Sequence, residues 1–321
     1  LDVQVLKILT MPPILHARAE TPCQTGHLGL SIESNKSGAE SMQQRNWLIT
    51  GVNSGFGRHL TEQLLQRGDC VAGTVRDLSS MADLKSQYGE QLWLAELDLT
   101  DTPAIRRVVD RAFFELGRID VVVSNAGYGL FGAAEEMTDE QIMHQLDTNL
   151  LGSIQLIRAA TPYLRGQRAG RILQLSSVGG QAVFPGGSMY HATKWGIEGF
   201  VDAIRLELAA FNIGCTLIEP GSARTDFRFR SAQLATRIEA YDASVISMTR
   251  QRLTDRSSQP IGDPAKMAAA MIASVDQHPA PARIALGSDA YGAMHSQLSA
   301  RLADLEAQKT LAMSTDYPAD Q

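Results

Sequence analysis

From Trp47 onward, short apolar runs alternate along the chain with longer stretches in which apolar residues return every three or four positions. "WLIT" (47–50) precedes "FGRHLTEQLLQRG", where Leu60, Leu64 and Leu65 share a helical face and Gly68 supplies a stop. "CVAGTV" (70–75) precedes "LSSMADLKSQYG", with Asp77 placed as an N-cap. "LWLAELD" (92–98) leads into a helix opened by "TDTPA", with Pro103 in its first turn. "IDVVVSNAG" (119–127) precedes a helical stretch from about Asp139 to Leu164, and "RILQLSS" (171–177) precedes the helix of "SMYHATKWG" (188–196). "CTLIEPG" (215–221) and "RIALGS" (283–288) are two further strands, separated by an irregular insertion over about 222–262 and by the helical "DPAKMAAAMIASV". Strands that are apolar on both sides must be covered on both sides, and parallel neighbours need crossovers. The pattern therefore predicts an α/β fold of three layers, a doubly wound parallel sheet of about seven strands with helices on both faces. In such a sheet, ligands bind beyond the carboxyl ends of the strands.

Residues 1–41 break this pattern: a short apolar start is followed by turn-forming and small polar residues with no sustained period. They read as an N-terminal extension, non-native or disordered. They lack the long apolar centre of a signal peptide, and Met42 stands directly before the periodic region. The remainder, 42–321, is expected to form a single domain. With 44% hydrophobic and 20% charged residues among 321, the chain can bury a sizeable core. A formal net charge of -6 gives no general pull toward nucleic acid or anionic membranes, so neither is expected as a partner. Cys23, Cys70 and Cys215 are far apart in sequence and show no metal-ligand spacing, which argues against a zinc site and a disulfide framework and favours a reducing, cytoplasmic setting. No metal is expected.

The candidate chemistry lies in the loops at the strand ends. "TGVNSGFGRHL" places Gly51, Gly55 and Gly57 between a strand and a helix. The G-x-x-x-G-x-G spacing is neither G-x-G-x-x-G nor a P-loop, yet it uses the same physics. Glycines permit a tight turn and close approach of backbone amides, and the helix N-terminus that follows favours the negative charge of a pyrophosphate. At the end of the second strand, the place of an acid that would bind a ribose 2'-hydroxyl falls on Val75, followed by Arg76. NADP(H) is therefore favoured over NAD(H), with Arg76 pairing the 2'-phosphate. Tyr190 and Lys194 stand four apart and meet on one face of their helix.

With "TGVNSGFG", "SNAG" (124–127), Asn149 in "DTNLLG", Ser177 thirteen residues before Tyr190, "YHATK" and "EPGSART" in this order, the sequence resembles the short-chain dehydrogenase/reductase family from Met42 onward. Ser124 stands where Asn is common. The resemblance implies a Rossmann-type fold and an oxidoreductase that moves hydride between a nicotinamide and a carbonyl or secondary alcohol. Tyr190 is then the general acid/base, with an ammonium at Lys194 and the positive nicotinamide lowering its pKa. Ser177 holds the substrate oxygen, Lys194 also holds the ribose hydroxyls, and Asn149 holds a water in the proton relay. The resemblance further implies that Asp98 contacts the adenine, that Asn125 and Gly127 support the cleft, and that Thr225 contacts the carboxamide. Matching positions add Asn53, Ser54, Phe56, Leu99, Ala126, Pro220 and Gly221 to the cofactor's contacts. It also implies a homodimer or homotetramer.

Alternatives stay open beside this reading. Asn149, Ser177 and Asp98 each have a simpler use in bonding a strand or turn. His144 and His191 match no catalytic position and read as surface or packing residues. Phe131, Phe184, Met189 and Phe227 either wall an apolar substrate pocket or pack loop against core, and Arg224, Arg228 and Arg230 either meet an anionic substrate or face solvent. A redox sensor on the same fold needs only the cofactor cleft. Retention of Ser177, Tyr190 and Lys194 favours the enzyme.

Overall fold

The computed structural model describes residues 44–257 and 259–317. The expectation for residues 1–41 lies outside them. Seven strands, β1 (Asn46–Thr50), β2 (Cys70–Val75), β3 (Leu92–Glu96), β4 (Val121–Ser124), β6 (Gly170–Leu175), β7 (Ile213–Pro220) and β9 (Arg283–Leu286), form one sheet in the order β3-β2-β1-β4-β6-β7-β9. Every pairing in it is parallel. All seven coincide with the apolar runs of the sequence.

Alternation along the strands divides the core in two. Leu48, Ala72, Val122, Ile172 and Leu217 face one layer of helices, α3 (Thr102–Leu116), α5 (Gly152–Gln167) and α6 (Ser188–Leu208). Their neighbours Trp47, Ile49, Val71, Val121, Val123, Leu173 and Ile218 face the other, α1 (Gly55–Arg67), α2 (Ala82–Tyr88) and α8 (Pro264–Ser274). Local signals hold as read: Gly68 ends α1 in the left-handed region at φ 93°, Asp77 accepts from Ser79 N, and Pro103 lies in the first turn of α3.

The stretch read as one helix from Asp139 is α4 (Asp139–Leu146) joined without a break to α5 through a wider five-residue turn, Asp147–Leu151, that carries Asn149. Such loosened turns mark functional positions in many helices. The insertion at 222–262 is more regular than expected. It contains β8 (Ala232–Leu234) and α7 (Val245–Thr254), and β8 pairs in parallel with β5 (Gly129–Phe131), which follows β4. Its ends meet at a neck: Ala223 bridges Gly262, Gly262 N donates to Ser222 O and Arg224 N donates to Gly262 O. A buried ion pair between Glu136 and Arg250 and a bond from Thr249 Oγ1 to Pro185 O brace it on the loops after β4 and β6. Helices α9 (Ser288–Ala307) and α10 (Lys309–Met313) follow β9.

Of the cysteines, Cys70 is buried at the start of β2, Cys215 is free and buried, and Cys23 lies outside the described residues.

Candidate active site

The strand order reverses between β1 and β4, and the loops leaving these two strands open the cleft there. After β1 the chain turns at Gly51, φ 73°. Asn125 locks that turn to β4: its Nδ2 donates to Thr50 O (2.8 Å) and Gly51 O (3.2 Å), while Thr50 Oγ1 accepts from the amides of Asn125 and Ala126. Gly57 completes the cradle, because a Cβ there would lie 2.1 Å from Gly51 O and 2.6 Å from Asn125 Nδ2. The N-terminus of α1 has no side-chain cap, for Ser54 is extended and makes no capping bond. Its first amides are left to whatever occupies the cleft, which suits an anion.

One cavity of about 800 Å³ runs from this cradle to Tyr190. It is lined by Gly51, Asn53, Ser54, Gly55, Phe56, Arg76, Asp98, Leu99, Asn125, Ala126, Gly127, Pro220, Gly221 and Thr225, and by Ser177, Tyr190 and Lys194. Two expected residues stand behind its wall. Gly57 is the buried spacer just described, and Asn149 is 2% exposed, its side chain engaged by Tyr128 through N–H to Oδ1 (3.0 Å) and Nδ2 to O (2.6 Å). The simpler use of Asn149, bonding a neighbouring loop, is therefore realised. Asp98 accepts from Thr100 N (2.9 Å) and Oγ1 (2.8 Å), bonds that hold its carboxyl below the usual range. Arg76 is exposed at the end of β2 and makes no hydrogen bond or salt bridge among the described residues.

At the far end, Ser177, Tyr190 and Lys194 converge, all buried. Ser177 follows β6, its Oγ accepts from Gly179 N (3.0 Å), and its hydroxyl lies beside that of Tyr190. Lys194 Nζ donates to Leu175 O (2.9 Å) and sits 5.8 Å from the centre of the Tyr190 ring. Burial pushes the Tyr190 phenol above its ordinary value, with the Ser177 bond opposing. Burial also lowers Lys194 to about 8, with Glu198 opposing.

Phe131, Phe184 and Phe227 wall the cavity around Tyr190, the first two with ring centres 6.3 Å apart. Met189 does not join them; it packs against the small cluster of Leu130, Met137 and Ala235. Residue 189 precedes Tyr190 by about 100° of helical turn, which aims it elsewhere. Arg228 and Arg230 line the cavity, whereas Arg224 is used on Pro260 O (2.8 Å). His191 is a packing residue, bridging Gly179 O (2.8 Å) and Phe184 N (3.1 Å), and His144 lines the cleft beside Tyr128. Sequence reasoning missed Thr50, Ser176, Gln181 and Glu198. Only Glu198 left a signal, a charge on the otherwise apolar face of α6 that holds Ile197 and Val201.

At the end of β7, Glu219 lies beside Glu198, and burial followed by that neighbouring carboxyl pushes it up to about 8, with Arg283 opposing. Its ordinary value is 4.5, so between these limits the folded chain binds more protons than the unfolded one. Stability is therefore expected to fall as pH rises from about 4.5 to 8. Glu219→Gln is expected to flatten that dependence in melting curves. A wild-type slope in the variant contradicts it.

The family pattern described as short chain dehydrogenase matches residues 45–234, and the chain belongs to this family. It is an oxidoreductase. "Oxidoreductase BOA17" of Botryotinia fuckeliana is 35% identical over 245 residues, 76% of this chain and 89% of that protein. The crystal structure of a short-chain dehydrogenase from Streptomyces avermitilis, 35% identical, superposes with a TM-score of 0.81 over 86% of this chain and all of that one, 100%. The closed form of serine dehydrogenase complexed with NADP+ is 26% identical, with a TM-score of 0.62 over 75% of this chain and 93% of that one. No helix among the described residues is long and apolar enough to cross a membrane.

Proposed function

We propose that the chain is an NADP(H)-dependent oxidoreductase acting on an apolar carbonyl or secondary alcohol, with Tyr190 as general acid/base. The convergence of buried Ser177, Tyr190 and Lys194 at the aromatic end of the cleft carries this reading. The uncapped N-terminus of α1 and the glycine cradle suit the cofactor's pyrophosphate, and a relative of the same fold is complexed with NADP+. Asp98 meets the adenine, and Lys194 the nicotinamide ribose. Thr225, across from Gly55, meets the carboxamide. When bound, the nicotinamide supplies or accepts the hydride at the carbonyl carbon. Ser177 holds the substrate oxygen, and Tyr190 gives a proton to that oxygen in reduction or takes one in oxidation. The cation at Lys194 favours phenolate as the proton leaves. Asn149 acts through Tyr128, whose backbone it fixes at the cleft wall. The segment 222–262 supplies Phe227, Met248 and Leu253 to the pocket and so selects the substrate.

A panel of carbonyls and alcohols followed by cofactor absorbance, with NADPH, NADH, NADP and NAD, tests the reading. Turnover of an apolar member with NADPH preferred is expected. Cofactor binding without turnover of any member points instead to a redox sensor. Because Arg76 is exposed at the end of β2 and its charge is engaged only electrostatically by Asp98, Arg76→Ala is expected to weaken NADPH binding by about 1.5 to 3 kcal/mol, the scale of a charge-assisted bond, with NADH little changed. Fluorescence titration checks this, and an equal loss for both cofactors contradicts it.

A further inference from the structure

One helical turn beyond Lys194 lies a carboxylate that the chemistry above leaves unused. Glu198 stands four residues past Lys194 and eight past Tyr190, so the three share one face of α6, and it is 2% exposed. Both its oxygens are taken by the turn that follows β6: Ser176 Oγ donates to Oε1, and Gln181 Nε2 donates to Oε2. Ser176 directly precedes Ser177, and Gln181 closes the turn through its amide to Val178 O (3.1 Å). The fit is close: a Cβ on Gly180 would lie 1.8 Å from Glu198 Oε1, so a glycine is needed for the turn to rest on the carboxylate. The charged and titratable groups around it are Lys194 on its own helix, Glu219 on β7, whose carboxyl lies beside it, and Arg283 on β9, 3.7 Å away. Arg283 reaches Glu219 at 3.1 Å and pairs outward with Asp202.

We propose that Glu198 is a positioning residue for the reaction, tying the turn that presents Ser177 to the helix that presents Tyr190 and Lys194 and setting a negative charge one turn behind the lysine. The proposal rests on the oxidoreductase reading of those three residues. Two parts of the site come from different elements, β6 and α6, and Glu198 is the side chain that bonds both ends of the Ser177 turn from the helix side. A network that served stability alone would need neither the glycine contact at the turn nor a place behind the lysine.

The test uses the full chain with NADPH and a carbonyl that the wild type reduces. Glu198→Gln keeps the shape and an acceptor for Ser176 but removes the charge. It is expected to lower kcat about 10-fold or more, the scale of a lost bond to a charged group, with both KM values within about 2-fold. The basic limb of the kcat profile should move to lower pH by about one unit, since Lys194 loses its proton earlier. Gln181→Leu, at a half-buried position, should lower kcat about 3-fold without moving that limb, because it loosens the turn and leaves the charge. A folded Glu198→Gln with wild-type kcat and an unmoved limb overturns the proposal. Should that variant not fold, unchanged kcat in Gln181→Leu overturns it. Unaltered turnover in Tyr190→Phe would instead overturn the underlying reading, and the two failures are separable.

Discussion

Tyr190→Phe is expected to fold, to bind NADPH as the wild type does, and to turn over at least about 100-fold more slowly, the low end of general acid/base catalysis. The ring is 8% exposed and packs against Phe131 and Phe227, contacts that phenylalanine keeps. Only the hydroxyl and its interaction with Ser177 are lost, which costs at most about 1 kcal/mol of stability. Lys194→Met should act on two steps. It removes the cation beside the phenol, and it removes the donor assigned to the ribose, so both turnover and cofactor affinity fall. The double variant should cost less than the sum of the single losses in kcat, because each change disables the same proton transfer. Steady-state rates beside fluorescence titration decide it. Near-normal turnover in Tyr190→Phe would return Tyr190 and Lys194 to ordinary residues of a buried helix face.

Gly57→Ala is expected to damage the other end of the cleft. Its added methyl would stand 2.1 Å from Gly51 O, which is backbone and cannot rotate away, and 2.6 Å from Asn125 Nδ2, which holds the turn shut. The loop must open or α1 must move. Overpacking of this kind costs about 1 to 3 kcal/mol of stability, and a shift of the amides at the start of α1 should raise the Kd for either nicotinamide cofactor about 10-fold or more. Unlike Arg76→Ala, it should not discriminate between NADPH and NADH. Melting curves and paired cofactor titrations test this, and a stable variant with unchanged affinity contradicts the cradle geometry. Gly55→Ala makes a contrast, since a Cβ there meets nothing nearer than 3.8 Å and its cost comes from the positive φ of 53°.

The sheet was readable because its strands are buried on both faces and so appear as continuous apolar runs bounded by turn residues. β5 and β8 were not, for three residues each give no period. The wide turn at Asp147–Leu151 left no mark either, since a single extra residue per turn barely disturbs an apolar stripe. The spacing put Tyr190 and Lys194 on one helical face, but their roles, like that of Ser177, were legible only through the ordered set of motifs that resembles the family. Met189 shows the limit of composition: an apolar residue beside a catalytic candidate need not point where its neighbour points. Glu198 was in plain view as a charge on an apolar face, but its partners come from a turn and two strands that no local pattern connects to it.

The neck at Ala223 and Gly262 gives the insertion a separate standing from the sheet. A segment that leaves and re-enters at one point closes its own loop, so changes of length within it add little entropic cost to the rest of the chain. Exchange of residues 224–261 for a segment of different sequence should therefore leave the seven strands and the Ser177, Tyr190 and Lys194 arrangement in place. The graft would have to bring along its outside anchors, a strand to lie on β5, a base and an amide for Glu136, and donors for Pro185 O and Glu135. If the insertion selects the substrate as proposed, the chain's specificity can be exchanged without rebuilding the part that carries Ser177, Tyr190 and Lys194.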